Sequence, residues 1–187
     1  SSLTEIIIPS SVTEIGDNSF RDCTSLIKIS IPSSITKIGQ SAFSGCISLQ
    51  EASIPSSITE INDHTFRDCS SLKKISIPST VTAIGKSAFS GCKSLLEFSI
   101  PPVTTIEFHC FRECTSLKEI VIPSSVTVIK NCAFRGCTSL KKITIPSSVT
   151  SIAESAFYDC TSLPLDSIPA NLYVKDFFEP FSGECHP

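Results

Sequence analysis

The segment Cys23-Thr24-Ser25-Leu26-Ile27-Lys28-Ile29-Ser30-Ile31-Pro32-Ser33-Ser34-Ile35-Thr36-Lys37-Ile38-Gly39-Gln40-Ser41-Ala42-Phe43 decides the fold, because the rest of the chain is made of copies of it. Pro9, Pro32, Pro55, Pro78, Pro101, Pro123, Pro146 and Pro169 follow one another at spacings of 23, 23, 23, 23, 22, 23 and 23 residues. A period of that length identifies a solenoid, since one unit cannot bury its own apolar face and must stack on its neighbours. Equivalent residues then form ladders along the axis, and function is to be sought in ladders.

Within the unit, Leu26, Ile29 and Ile31 are the apolar positions, and Ile-x-Ile has the period of a strand with one buried face. A short parallel strand is expected. Pro32 lacks the N–H needed to continue the ladder, so the strand closes there and Ser33-Ser34 turns the chain. Ile35 and Ile38 lie on a β-branched segment that reads as a second ladder, and Gly39 marks a turn. Ser41-Ala42-Phe43-Ser44-Gly45-Cys46 is then expected to form one helical turn that points Phe43 and Cys46 inward.

The inward columns keep their residue type along the chain. Phe20, Phe43, Phe66, Phe89, Phe111, Phe134 and Phe157 form one; Cys23, Cys46, Cys69, Cys92, Cys114, Cys137 and Cys160 another; and the leucines from Leu3 to Leu163 a third. This pattern resembles the leucine-rich repeats of the BspA-like surface proteins, whose unit reads Leu-x-x-Ile-x-Ile-Pro-x-x-Val-Thr-x-Ile-Gly-x-x-Ala-Phe-x-x-Cys. The resemblance covers roughly residues 3–163. Departures fall at Asn62, Glu107, Lys130 and Ala153 for the glycine, and at Ala52 and Phe98 for an inward isoleucine. The expected architecture is an α/β repeat solenoid of the leucine-rich-repeat type. It is a right-handed coil with a parallel sheet on one face and short helical turns on the other. Residues 1–163 would be seven repeats of 22–23 residues, and 164–187 a degenerate capping repeat, as its decayed pattern (Asp166, Tyr173, Lys175, Phe177, Phe178, Phe181) implies.

Irregularities carry information too. The first four repeats show a double period of 46 residues: Phe20-Arg21-Asp22-Cys23 returns as Phe66-Arg67-Asp68-Cys69, while Phe43-Ser44-Gly45-Cys46 returns as Phe89-Ser90-Gly91-Cys92. Duplication of pairs accounts for it at this level. The outward strand column reads Glu5, Lys28, Glu51, Lys74, Glu97, Glu119, Lys142, with alternating signs that attract at the roughly 5 Å spacing of stacked strands. Alternation fails at Glu97 and Glu119. That failure coincides with the 22-residue repeat, where Pro101-Pro102-Val103 has lost one corner residue and Phe98 replaces isoleucine; a local change of curvature or twist is expected. Phe108, His109, Cys110 and Cys132 mark the same flank, either as compensating packing or as a ligand-contact patch.

The net charge of −3 and pI near 5.6, with both signs mixed throughout, give no footprint for nucleic acid. No apolar run reaches the roughly 20 residues of a membrane-spanning helix. The chain enters the pattern midway through a repeat at Ser1-Ser2-Leu3, without an initiator methionine, and reads as a fragment or processed product. Paired C-x-x-C clusters of structural zinc are absent and ladder cysteines point the same way, so a buried column of thiols is expected and no metal or other cofactor. Cys110, Cys132 and Cys185 fall outside that ladder and are the candidates for reactivity. Among the imidazoles of His64, His109 and His186, His109 shares a column with Cys132, but no third group is placed to orient the pair. The chain is read as a non-enzyme.

What remains is a binding module. Lys28, Glu51, Lys74, Glu97, Glu119 and Lys142, beside Ser30, Ser53, Ser76, Ser99, Val121 and Thr144, make a shallow polar face suited to a protein surface. Resemblance to the BspA-like proteins implies adhesion to host or matrix proteins by a cell-surface or secreted molecule. The alternative is an intracellular scaffold or spacer, in keeping with many free thiols.

Overall fold

The computed structural model describes residues 4–169 and 172–174. Its strands, in chain order, are β1 (Glu5–Ile7), β2 (Glu14–Ile15), β3 (Lys28–Ser30), β4 (Lys37–Ile38), β5 (Glu51–Ser53), β6 (Glu60–Ile61), β7 (Lys74–Ser76), β8 (Ala83–Ile84), β9 (Thr105–Ile106), β10 (Glu119–Val121), β11 (Val128–Ile129), β12 (Lys142–Thr144), β13 (Ser151–Ala153) and β14 (Tyr173–Val174). All pairings are parallel and join equivalent positions of neighbouring repeats, as in Ile6 with Ile29 and Ile15 with Ile38. The molecule is a β-solenoid of about six turns. Leu3, Lys175, Phe177, Phe178, Phe181, Cys185 and His186, singled out in the sequence, lie outside the described residues.

The Ile-x-Ile segments form a front sheet (β1-β3-β5-β7 and β10-β12), and the Val/Ile-Thr-x-Ile segments form the expected second ladder. Between them the Pro-Ser-Ser corner is a four-residue turn closed by bonds such as Ile35 N–H to Pro32 O at 3.1 Å. Its second serine has a job of its own: Ser34 Oγ donates to Val12 O of the preceding repeat at 2.8 Å.

The third side corrects the sequence reading. No α-helix occurs among the described residues; the Phe segments are turns, and helical structure is confined to short 3-10 turns such as Leu165–Ser167. The reason lies in two left-handed residues in each repeat from Phe20 to Phe134, two before and two after the phenylalanine: Asn18 and Asp22 (both φ 56°), Ser41 and Gly45, His64 and Asp68. A right-handed helix cannot pass through them. N–H groups of alternate residues instead reach the next repeat, as Asn18 to Gln40 O, Phe20 to Ala42 O and Asp22 to Ser44 O at 2.8–2.9 Å. The turn face is thus a third hydrogen-bonded ladder, and the fold is all-β, not α/β.

Between the ladders sits the core. From Phe20 to Phe157 the rings stack with centroids 5.2–5.7 Å apart and planes within 11°. Phe43, Phe66, Phe89, Phe111 and Phe134 have no exposed surface, and each is worth about 1.5–3 kcal/mol in apolar burial. Beside them each ladder thiol from Cys46 onward donates to the carbonyl of the phenylalanine one repeat back, as Cys69 Sγ to Phe43 O at 3.2 Å and Cys114 Sγ to Phe89 O at 3.3 Å. A small apolar residue with one donor is what that position needs.

One repeat breaks the regularity. No strand forms at Glu97–Ser99, so the front sheet stops at β7 and resumes at β10; the second ladder is interrupted here between β8 and β9, as it also is between β4 and β6. Phe98 turns its ring edge into the spine, 4.8 Å from both Phe89 and Phe111. The shortened corner closes as a three-residue turn, Val103 N–H to Pro101 O at 2.7 Å. Ser125 Oγ of the following corner is buried without a partner, as is Ser148 Oγ one repeat further on. On the turn face the ladder continues unbroken through Ser87 N–H to Phe108 O, Phe89 to Cys110 O and Gly91 to Arg112 O. The sequence predicts a local change of curvature or twist here; what the structure contains is a lapse of pairing on two sides of the coil with the third intact.

Candidate interaction face

The front sheet displays the charge column because strand residues alternate in direction: Ile29, Ile75 and Ile120 point into the core, and their neighbours point out. Glu5, Lys28, Glu51 and Lys74 lie in register on consecutive strands, as do Glu119 and Lys142. All six candidate residues (Lys28, Glu51, Lys74, Glu97, Glu119 and Lys142) are exposed on this face. Ser30, Ser53, Ser76, Ser99, Val121 and Thr144 are exposed beside them.

At the step where alternation fails, each carboxylate turns away from the other. Glu97 pairs with Lys74 at 3.9 Å and Glu119 with Lys142 at 3.7 Å, all four side chains being at least two-thirds exposed. Such pairs contribute little, about 0–1 kcal/mol each before screening. Lys118, adjacent to Glu119, is exposed and takes part in neither pair.

Between those pairs the lapsed strand leaves an open hollow of about 630 Å³ along Lys74–Ile77, Glu97–Ile100 and Glu119–Val121, with Pro123 at its end. The main chain of Glu97–Ile100 makes no hydrogen bond among the described residues. Ile77 and Ile100 were not visible as lining residues from sequence, since in a regular repeat their column merely precedes the proline. Phe98 and the doubled proline Pro101-Pro102 are the signal that points to them.

The opposite flank offers less. Phe108 is half-buried between two ammonium groups, Lys86 Nζ at 5.6 Å and Lys130 Nζ at 5.4 Å from its ring centre. Cys110 and Cys132, candidates for reactivity, are 1% exposed, and burial pushes the Cys110 thiol well up from its ordinary value. That is a correction: Cys110 replaces a buried alanine of the turn and is no accessible nucleophile. His109 and Cys132 occupy the same left-handed position in adjacent repeats, both at φ 56°. His64 and His109 have lowered pKa values, by burial first and then by the guanidinium groups of Arg67 and Arg112 respectively. The Nδ1 atom of each is shielded and without a hydrogen-bond partner. No disulfide joins the described cysteines to one another, and no group of three His, Cys, Asp or Glu side chains among the described residues is arranged to hold a metal. No helix among the described residues is long and apolar enough to cross a membrane.

Comparison with known proteins agrees with this geometry. The family model described as BspA type leucine-rich repeat region matches residues 1–117 and 94–178. A leucine-rich repeat protein from T. pallidum superposes with a TM-score of 0.81 at 30% identity over 89% of this chain and 81% of its own. A leucine-rich cell-surface protein from Faecalibacterium prausnitzii A2-165 gives 0.62 at 30% identity, over 86% of this chain and 58% of its own. A leucine-rich repeat protein from Bacteroides ovatus ATCC 8483 gives 0.64 at 28%, over 86% and 56%. The chain therefore spans a little over half the length of those last two. No curated protein matches it.

Proposed function

Because the chain belongs to the BspA-type leucine-rich repeat family, we propose that it is a protein-binding module of a cell-surface or secreted adhesion protein. The partners are host or matrix proteins, bound across the front sheet at Lys28, Glu51, Lys74, Glu97, Glu119 and Lys142. One observation carries this reading: Lys28, Glu51 and Lys74 stand in register on one sheet and Glu119 and Lys142 on the next, with Glu97 exposed between them, all over one stacked core. A preordered polar face loses little side-chain and backbone freedom on binding a large, flat partner. The surface location follows the F. prausnitzii protein, which is a cell-surface protein.

To test it, the chain with all six residues changed to glutamine is compared with a control in which Lys37, Glu60 and Lys93 are changed. Attachment to immobilised extracellular-matrix proteins is measured for both. The first variant loses attachment and the second keeps it; equal attachment by both contradicts the assignment.

A second reading, an intracellular scaffold, is favoured by the unbridged thiols of the core ladder from Cys46 to Cys160, which suit a reducing compartment. Thiol titration of protein from its native source, alongside the full-length sequence, separates the two.

A further inference from the structure

The hollow at the lapsed strand has a chemistry that the rest of the front sheet lacks. Between the paired strands of β1-β3-β5-β7 facing main-chain groups bond to one another, and each exposed charge stands beside an opposite one. At Glu97–Ile100 the carbonyls take no donor from the described residues, and the two carboxylates of Glu97 and Glu119 are successive in the column with no cation between them. Lys74 is the one cation lining the hollow, and it lies on the outer side of Glu97. Ile77, Ile100 and the 64%-exposed Val121 supply apolar wall.

From this we infer that the hollow is a subsite for an arginine side chain presented by the protein partner. A guanidinium carries five donors in a planar fork and no acceptor, so it serves two carboxylates and unpaired carbonyls together, while its three-carbon stem lies on Ile100 and Val121. Lysine offers only a compact charge with three donors and fits less of the site. The two lateral ion pairs, being exposed and weak, yield to the entering guanidinium at little cost. The shortened corner and Phe98 thereby acquire a role: they hold open a gap that a standard repeat closes.

The inference rests on the front sheet being the binding face, and a peptide probe tests the subsite apart from any whole partner. A capped peptide of alternating serine and arginine is titrated into isotope-labelled protein, beside the same peptide with lysine or with citrulline, and backbone amide shifts are followed. Shifts concentrate at residues 97–100 and 119–121, the citrulline peptide binds roughly tenfold more weakly, as loss of a charged hydrogen bond implies, and lysine falls between. Glu119→Gln weakens the arginine peptide by a similar factor, and Glu60→Gln, outside the front sheet, does not. Shifts spread evenly along the column from Lys28 to Lys142, equal binding of the citrulline peptide, or equal effects of the two substitutions overturn the inference. If the peptide binds at the gap while the six-residue variant still attaches to matrix proteins, the broader reading fails and the subsite stands. If the peptide fails and that variant loses attachment, the subsite alone is wrong.

Discussion

The carboxylate of Asp22 lies over Gly45, in the space that a Cβ on Gly45 would fill. Asp68 stands in the same relation to Gly91, and the Glu113 side chain covers Gly136 with its Cγ 3.3 Å from that space. Both members of each pair are left-handed, Asp68 at φ 58° and Gly91 at 74°. The acidic side chain needs a glycine above it, and this converts a 23-residue repeat into the 46-residue double period seen in the sequence.

Gly91→Ala accordingly meets both a positive φ and the Asp68 carboxylate, and is expected to cost about 1–3 kcal/mol. In an Asp68→Gly background the steric part disappears and the cost of Gly91→Ala falls. Urea denaturation of the four proteins of this cycle measures the coupling; an identical cost in both backgrounds contradicts the packing described.

Phe89 is the middle ring of the spine, without exposed surface, and has Phe98 against its face in addition to Phe66 and Phe111. Phe89→Ala should lower stability by about 3–5 kcal/mol. Phe20, half-buried with Phe43 as its stacking neighbour, should tolerate alanine better. Equal midpoint shifts for the two substitutions would place Phe89 outside a continuous core.

The pH dependence has two limits. Burial pushes the Cys46 thiol up to about 12 and raises Cys69 and Cys92 also. These raised acids contribute stability that is complete below the ordinary thiol range, near 9, and is lost as pH rises from there toward 12. On the acid side, His64 and His109 are held neutral with lowered pKa values, so their contribution is complete above about 6.5 and is lost as pH falls through their folded values. Thermal melts from pH 4 to 11 should be highest between these limits, and His109→Asn, which tolerates a left-handed backbone, should flatten the acid arm. An unchanged acid arm would remove the imidazole from that explanation.

Much of this was legible in the repeats. The proline period places the parallel strands, and the invariant columns identify Phe43 and Cys46 as core, because burial in a one-dimensional stack demands the same residue type at every step. Sequence could not show the turn face. Ser41-Ala42-Phe43-Ser44-Gly45 reads as one helical turn closed by a glycine, and its two left-handed residues are Ser41 and Gly45, of which only the glycine advertises its conformation. The hollow was half legible: Phe98 and Pro101-Pro102 locate a disturbance, but whether the sheet would bend or lose its pairing depends on how an aromatic ring fits between Phe89 and Phe111.

The central claim is a solenoid that is open at Glu97–Ile100 on its sheet side and closed behind it by the turn ladder at Phe89 and Phe111. Native-state amide hydrogen exchange tests it most directly, since protection follows local hydrogen bonding and opening. The account predicts fast exchange for the amides of residues 97–100 and slow exchange for those of Phe89, Gly91 and Phe111, whose N–H groups reach Cys110, Arg112 and Ala133. Protection at residues 97–100 equal to that at Ile54 and Lys73, whose N–H groups reach Ser76 and Gln50, would contradict it.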